Sequence, residues 1–282
     1  MSFFYQGLVL LAAALTLPTT ARDAAAVPGG KVIHNVSYGP SAAQVMDVYL
    51  PAHPQDAPVI LMVHGGAWTL GDKSIARVVT NKVEHWLPKG YIFISINNRL
   101  LPAAGPLEQA HDVAKAVAFA QGKARSWGGD PSRFVLMGHS AGAHLVDVLA
   151  ASPQLAFGEG AKPWLGTVSL DTATLDVVET MRSRHYGFYD AAFGKDPAYW
   201  ASASPMHLLT SAPMPVLLVC STRRPDHPCR GNHRFAAKVA QLGGTATVLE
   251  KDLTHREINE NLGLPGRYTG EVDSFLHSLG LR

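Results

Sequence analysis

Residues 138–142 carry a pattern of residue types that suits nucleophilic catalysis. They read Gly-His-Ser-Ala-Gly, with a strand-like apolar run before them and a helix-compatible stretch after them. At such a turn the strand and the helix approach so closely that only small residues fit two positions either side of the serine, whose hydroxyl projects into a crevice. The pattern predicts Ser140 as a nucleophile and the backbone N–H of Ala141 as a donor to a negatively charged oxygen.

A second motif, at residues 64–68, supplies further backbone donors. It reads His-Gly-Gly-Ala-Trp and follows directly on an apolar run. Glycines allow backbone N–H groups to turn toward a substrate oxygen, as a tetrahedral intermediate requires. We expect an oxyanion hole made by the amides of Gly66 and Ala67 together with that of Ala141.

A serine hydroxyl also needs a histidine to take its proton and a carboxylate to orient that histidine. In this arrangement the chain order is serine, acid, histidine. His255 follows the last strand-like run and is the predicted base. Asp226, in the loop after the apolar run 215–220, is the predicted acid; Asp171, directly after the run 166–170, is the alternative.

The elements that must position these residues alternate between strand and helix. Strand-like apolar runs occupy residues 45–50, 58–63, 91–96, 133–137, 166–170, 215–220 and 246–249. Most are continuous, as in parallel strands covered on both faces, and a helical periodicity is clearest at 107–124. The order predicts an α/β fold with a doubly wound, mostly parallel sheet and a site at the carboxyl ends of its strands.

The least regular part of the chain is residues 172–212, which are rich in aromatic side chains. We expect a short insertion packed over the active site. An ordinary loop and helix that close the core are the alternative.

The motifs at 64–68 and 138–142 together resemble those of the HGG-type α/β-hydrolases, a group of carboxylesterases, hormone-sensitive-lipase-like enzymes and arylformamidases. The resemblance extends over residues 44–281 and implies the α/β-hydrolase fold. Many lipase-like members carry a third glycine where this chain has Ala67, so the chain is more similar to the small esterase and arylformamidase branch. In that branch, Trp68 and His139 are candidates for the substrate pocket.

The resemblance implies a serine esterase that cleaves small to medium carboxylic esters through an acyl-enzyme. An arylformamidase-like amide hydrolase is one alternative, and a non-catalytic binding module on the same fold is another. We expect no cofactor and no metal, because the histidines and cysteines lack metal-site spacing and no phosphate-cradling glycine loop is present.

Composition favours one catalytic domain with a small-molecule partner. The 282 residues are 47% hydrophobic and carry a formal net charge of only +2. That charge is too small and too evenly spread for nucleic-acid or anionic-membrane binding. No feature of the sequence indicates an oligomeric state.

The N-terminus resembles a secretory signal peptide, with an apolar stretch at residues 8–17 followed by a small-residue site. We expect residues 1–21 to be cleaved, 22–30 to be a linker and 31–282 to form the hydrolase domain, secreted or periplasmic and without stable membrane insertion. Because no Lys or Arg precedes Leu8, an uncleaved N-terminal anchor is the alternative.

Export also bears on the state of the two cysteines. Cys220 and Cys229 are the only cysteines, and an exported protein favours a disulfide between them over two free thiols.

Arg223, Arg224 and Arg256 flank the predicted acid and base. We expect them to be solvated surface residues rather than a binding site for an acidic substrate group.

Overall fold

The computed structural model describes residues 30–172 and 174–281, and the expected signal peptide and residues 22–29 of the expected linker lie outside them. The strands are β1 (Lys31–Ser37), β2 (Val45–Leu50), β3 (Ala57–Val63), β4 (Ile92–Ile96), β5 (Gly129–His139), β6 (Gly166–Leu170), β7 (Val216–Ser221) and β8 (Ala246–Lys251). The helices are α1 (Ala76–Trp86), α2 (Pro106–Lys123), α3 (Ala141–Ala151), α4 (Gln154–Gly158), α5 (Val177–Arg182), α6 (Gly187–Phe193), α7 (Pro197–Ser202), α8 (Pro205–Leu208), α9 (Pro228–Gln241), α10 (His255–Glu260) and α11 (Arg267–Ser278).

The strands form one sheet in the order β1-β2-β4-β3-β5-β6-β7-β8. β2 is antiparallel to both β1 and β4, and every other pairing is parallel, so the predicted doubly wound, mostly parallel sheet is confirmed. In the register of the central strands, Val63 at the end of β3 lies beside Gly138 of β5, and His139 lies beside Leu170 of β6. The loops that leave these three strands therefore begin next to one another.

The core consists of two apolar layers, one on each face of the sheet. Successive residues of β3 point to opposite faces: Val59, Leu61 and Val63 pack toward α2 and α3. Ile60 and Met62 pack with α1 and α11 on the other face. This explains why the strand is apolar at every position, since both sets of side chains leave water.

Strand β1 is a strand that the sequence pattern missed. It reads Lys-Val-Ile-His-Asn-Val-Ser, lies at the edge of the sheet and leaves most of its side chains exposed or half-buried. An edge strand has little apolar area to bury, so it lacks the continuous run that marks the central strands. The helix predicted at 107–124 is α2, within one residue at each end.

The aromatic segment at 172–212 forms the expected insertion over the cleft. It contains the short helices α5 to α8, and Tyr189 and Phe193 of α6 are buried against Trp68. Tyr186 and Phe188 remain exposed beside them. In the part of the chain that the structure describes, none of the helices is both long and apolar enough to cross a membrane.

A close backbone approach in the centre of the fold occurs at Gly142, near the start of α3. A Cβ there would lie 2.3 Å from the carbonyl oxygen of Val63 and 2.4 Å from that of His64. Both contacts are with backbone, which cannot move aside as a side-chain tip can. The α3–β3 packing therefore requires glycine at this position.

We expect Gly142→Ala to lower the free energy of unfolding by about 1–3 kcal/mol, the usual cost of overpacking, although alanine is the better helix former. Gly231→Ala in α9 is the matched control, because its Cβ would meet no atom within 4 Å. The control should gain about 0.5–1 kcal/mol from helix propensity. Urea unfolding of both variants measures the difference, and equal effects would contradict the steric account.

Candidate active site

Ser140 occupies a sharp turn between β5 and α3. Its φ of 56° and ψ of −118° lie outside the regions that L-residues favour, and its N–H is held by the carbonyl oxygen of Leu170 at 2.9 Å. A Cβ on Gly138 would lie 2.3 Å from the carbonyl oxygen of Gly142. The two glycines thus let the strand and the helix approach, and the strained serine lies at the head of the cleft.

His255 meets Ser140 from the opposite side of the cleft. Its Nε2 is 2.9 Å from the serine Oγ, across 115 positions of sequence. His255 is the first residue of α10, and Thr254 and Glu257 form a capping box at that helix start. The Thr-x-x-Glu spacing is a sequence signal from which this helix start could have been predicted.

The carboxylate that contacts His255 belongs to Asp171, not to Asp226. Asp171 follows β6 directly, and its Oδ2 accepts a 2.6 Å hydrogen bond from His255 Nδ1. Asp226 instead accepts hydrogen bonds from the guanidinium of Arg224, at 2.9 and 2.5 Å. The expectation for Asp226 is therefore corrected, and the alternative, Asp171, takes its position. The physical reason is that Arg224 stands between Asp226 and the imidazole and satisfies that carboxylate.

The surroundings of Asp171 keep its buried carboxylate ionised. Burial raises its pKa, but the hydrogen bond from His255 and the positive charge of Arg224 outweigh burial and hold the pKa below its ordinary value. The backbone N–H of Ser221 adds a further bond, 2.8 Å from Oδ1. Since a carboxylate only accepts, Nδ1 of His255 carries the proton and Nε2 presents its lone pair to Ser140.

His139 packs against His255. Its ring centroid lies 4.5 Å from that of His255, and its Nε2 donates to the His255 carbonyl oxygen at 3.0 Å. Burial, together with the neighbouring His255, lowers the pKa of His139 to about 3, so the ring is neutral. His139, a candidate pocket residue from the sequence, lines the cleft, while its ring nitrogen is engaged with the backbone of His255.

The loop after β3 lines the same cleft as Ser140. Gly66 and Ala67 have φ values of 132° and 51°, and the carbonyl oxygen of Gly66 accepts from Thr69 and Leu70. Within residues 30–172 and 174–281, the N–H groups of Gly66, Ala67 and Ala141 donate no hydrogen bond. All three residues line the same cleft, so their amides are available to an oxygen bound there.

The cleft has a volume of about 900 Å³ and is lined on one side by aromatic residues. Trp68 is nearly buried, donates from Nε1 to His144 Nδ1 at 3.3 Å and packs 4.9 Å from the ring of Phe193. The indole therefore both caps the core and forms part of the cleft wall. Tyr186 and Phe188 of the insertion complete that wall.

The predicted disulfide between Cys220 and Cys229 is present. It joins the end of β7 to the start of α9 and closes the loop that carries Arg224 and Asp226. Arg224 differs from the surface residue that we expected, because its guanidinium contacts Asp171 and Asp226. Arg223 and Arg256 do lie at the surface, where they pair with acidic side chains.

Below the cleft, Lys82 of α1 anchors the helix that begins with His255. Its Nζ lies 2.6 Å from the carbonyl oxygen of Asn259 and 2.9 Å from Asn259 Oδ1, and the side chain is buried. Burial lowers the pKa of Lys82 to about 7, against the opposing effect of Glu260. A neutral amine has two N–H groups, one for each oxygen of Asn259.

Residues 46–238 match the model of the protein family described as BD-FAE. Among curated proteins, the chain is 27% identical over 241 residues to Esterase LipQ of Mycobacterium tuberculosis, covering 78% of this chain and 55% of LipQ. It is 31% identical over 116 residues to a probable isoprenylcysteine alpha-carbonyl methylesterase ICME of Oryza sativa, covering 41% of this chain and 27% of that protein. The chain thus spans between about a quarter and about half the length of these relatives.

Solved structures share the fold at low sequence identity. A truncated carbohydrate esterase from gut microbiota superposes with a TM-score of 0.78 at 18% identity, covering 92% of this chain and 99% of that one. The apo form of Thermogutta terrifontis esterase 2 superposes with a TM-score of 0.73 at 18% identity, covering 91% and 97%. At this identity the likeness establishes the α/β-hydrolase fold.

The lowered pKa of Lys82 makes stability depend on pH. Between pH 7 and its ordinary value of 10.5, the unfolded chain binds a proton that the folded chain lacks, so the free energy of unfolding should rise with pH, by at most about 1.4 kcal/mol per unit. Lys82→Met should remove this rise, whereas Lys195→Met, at an exposed position, should keep it. Urea unfolding at pH 7, 8 and 9 measures the slopes. A slope unchanged in Lys82→Met would contradict the assignment.

Proposed function

The chain belongs to the BD-FAE family, and from that membership and the geometry of its cleft we propose that it is a carboxylic ester hydrolase. Ser140 is the nucleophile, His255 the general base and Asp171 the acid. The observation that carries the proposal is the continuous series of hydrogen bonds from Ser140 Oγ through His255 to Asp171 Oδ2, at 2.9 and 2.6 Å, inside a cleft.

The reaction proceeds in two steps. Ser140 Oγ attacks the ester carbonyl carbon while His255 Nε2 takes the hydroxyl proton, and the oxyanion is bound by the amides of Gly66, Ala67 and Ala141. His255 then returns the proton to the leaving alcohol as the tetrahedral intermediate collapses to an acyl-enzyme. A water molecule then attacks the acyl carbon while His255 Nε2 takes its proton. As the second tetrahedral intermediate collapses, His255 gives this proton to Ser140 Oγ, which releases the carboxylic acid and the free enzyme.

Magnitudes from other enzymes indicate what each part contributes. A positioned general base accelerates the reaction by about 10²- to 10⁴-fold. Each oxyanion donor lowers the barrier by about 2.7–4 kcal/mol. Asp171 keeps the imidazole in the tautomer that accepts from Ser140 and stabilises the imidazolium that forms.

The substrate class is small to medium esters. The cleft, at about 900 Å³, is in the size range of small-molecule sites, and its aromatic wall offers apolar contact to an acyl or alcohol group. LipQ, ICME and the structural neighbours carry names that describe esterases, which favours an ester over a formamide substrate. The Cys220–Cys229 disulfide supports a secreted or periplasmic location, because such bonds persist in oxidising compartments.

We expect the folded protein to hydrolyse p-nitrophenyl acetate and butyrate and to be labelled by a fluorophosphonate on Ser140. Ser140→Ala should lose the label and about 10⁶-fold of kcat, with an unchanged thermal unfolding temperature. Mass spectrometry of the labelled peptide identifies the modified residue. A folded wild-type protein that takes no label would favour a non-catalytic module on this fold.

The assignment of the acid is tested by a pair of isosteric variants. Asp171→Asn should lower kcat by about 10⁴-fold, because an amide at Nδ1 favours the wrong imidazole tautomer. Asp226→Asn should lose far less, because Asp226 does not contact His255. Steady-state kinetics with p-nitrophenyl butyrate compare the two, and a larger loss in Asp226→Asn would return the acid to that residue.

A further inference from the structure

Arg224 links two carboxylates beside the base. Its Nη1 donates to the backbone carbonyl oxygen of Asp171 at 2.8 Å and to Asp171 Oδ2 at 3.1 Å. Its Nε and Nη2 donate to the two carboxylate oxygens of Asp226, at 2.9 and 2.5 Å. The guanidinium thus donates hydrogen bonds from one edge to the main chain and side chain of Asp171. From its other edge it donates to the carboxylate of Asp226.

Arg224 binds Asp171 at a position where the backbone is strained. Asp171 has a φ of 58°, an unfavourable value for a residue that bears a Cβ. Its Oδ2 also accepts the hydrogen bond from His255 Nδ1, so Arg224 and His255 share one oxygen. Nη1 lies 3.1 Å from Nδ1 as well, and because both nitrogens are donors they converge on the carboxylate rather than on each other.

Arg224 is itself held in place before any substrate arrives. Asp226 engages the guanidinium in a two-bond fork, the geometry that most restricts an arginine side chain. The Cys220–Cys229 disulfide closes the loop that carries both Arg224 and Asp226. Four of the five guanidinium N–H groups are engaged, so Arg224 has little capacity left to bind an anionic group of a substrate.

We propose that Arg224 is a positioning residue for the proposed hydrolysis: it fixes the Asp171 carboxylate on Nδ1 of His255, and Asp226 acts only by holding Arg224. The inference rests on the proposed function, in which Asp171 is the acid. It gives Asp226 a role other than the one expected of it, as the counter-ion of the residue that orients the acid. The loss of Arg224 therefore affects kcat and leaves KM nearly unchanged.

The test compares two adjacent arginines. Arg224→Met should lower kcat by roughly 10- to 100-fold, the range found when hydrogen-bond partners that orient metal-ligating residues are removed, with KM within about threefold of wild type. Arg223→Met is the matched control, because Arg223 is half-exposed and pairs with Asp252 and Glu257 at the surface. It should keep wild-type kinetics. Circular dichroism and thermal unfolding establish that both variants fold.

A double-mutant cycle tests the role of Asp226. Asp226→Asn alone should lower kcat severalfold, and in the Arg224→Met background it should add less than about a twofold loss, because residues that act as a unit are not additive. An equal loss in both backgrounds would overturn the proposal, as would a KM effect at constant kcat, which would make Arg224 a substrate-binding residue. Proton NMR of the His255 Nδ1–H signal gives a second readout, which should shift in Arg224→Met and not in Arg223→Met.

These outcomes separate the inference from the proposed function. A wild-type protein that neither hydrolyses esters nor labels at Ser140 removes the function itself. An active wild type whose kcat is unaffected by Arg224→Met removes only the inference about Arg224.

Discussion

The parallel pairing of β3, β5 and β6 is the constraint on which the site depends. Val63 lies beside Gly138, and His139 lies beside Leu170, so three strands end at the same level of the sheet. The loop at 64–68, the turn at Ser140 and Asp171 are the next residues along each strand. The reactive groups come together because of main-chain register, and the two buried apolar layers that hold the sheet also hold the site.

The cleft combines strain with electrostatic compensation. Ala67, Trp68, Ser140 and Asp171 all have positive φ values without being glycine, and all four line the cleft. Such conformations cost of order 1–3 kcal/mol each and persist where the surroundings determine them. The surroundings here are fully packed strands, which can maintain a strained turn that an isolated loop could not.

A buried charge in such a place needs partners on every side. Asp171 receives hydrogen bonds from His255, Ser221 and Arg224, and removal from water would otherwise disfavour its ionised form. Arg224, half-buried in turn, is compensated by Asp226. Asp226, Arg224 and Asp171 thus form a series of charges of alternating sign, from the loop closed by the disulfide to the imidazole of His255. Each charge is stabilised by its neighbour in the series.

Features with a local cause can be read from the amino-acid sequence alone. The glycines around Ser140 and in the loop at 64–68 are required by backbone approach within a few residues, and the continuous apolar runs follow from burial on both faces. The Cys220–Cys229 pairing was also within reach, since only two cysteines exist and they lie close together. Only the tertiary structure decided which carboxylate contacts His255. Asp171 and Asp226 both follow strands of the same sheet, and the outcome depends on the side chain of Arg224, which lies 53 positions from the acid it orients and has no periodicity or motif to reveal it.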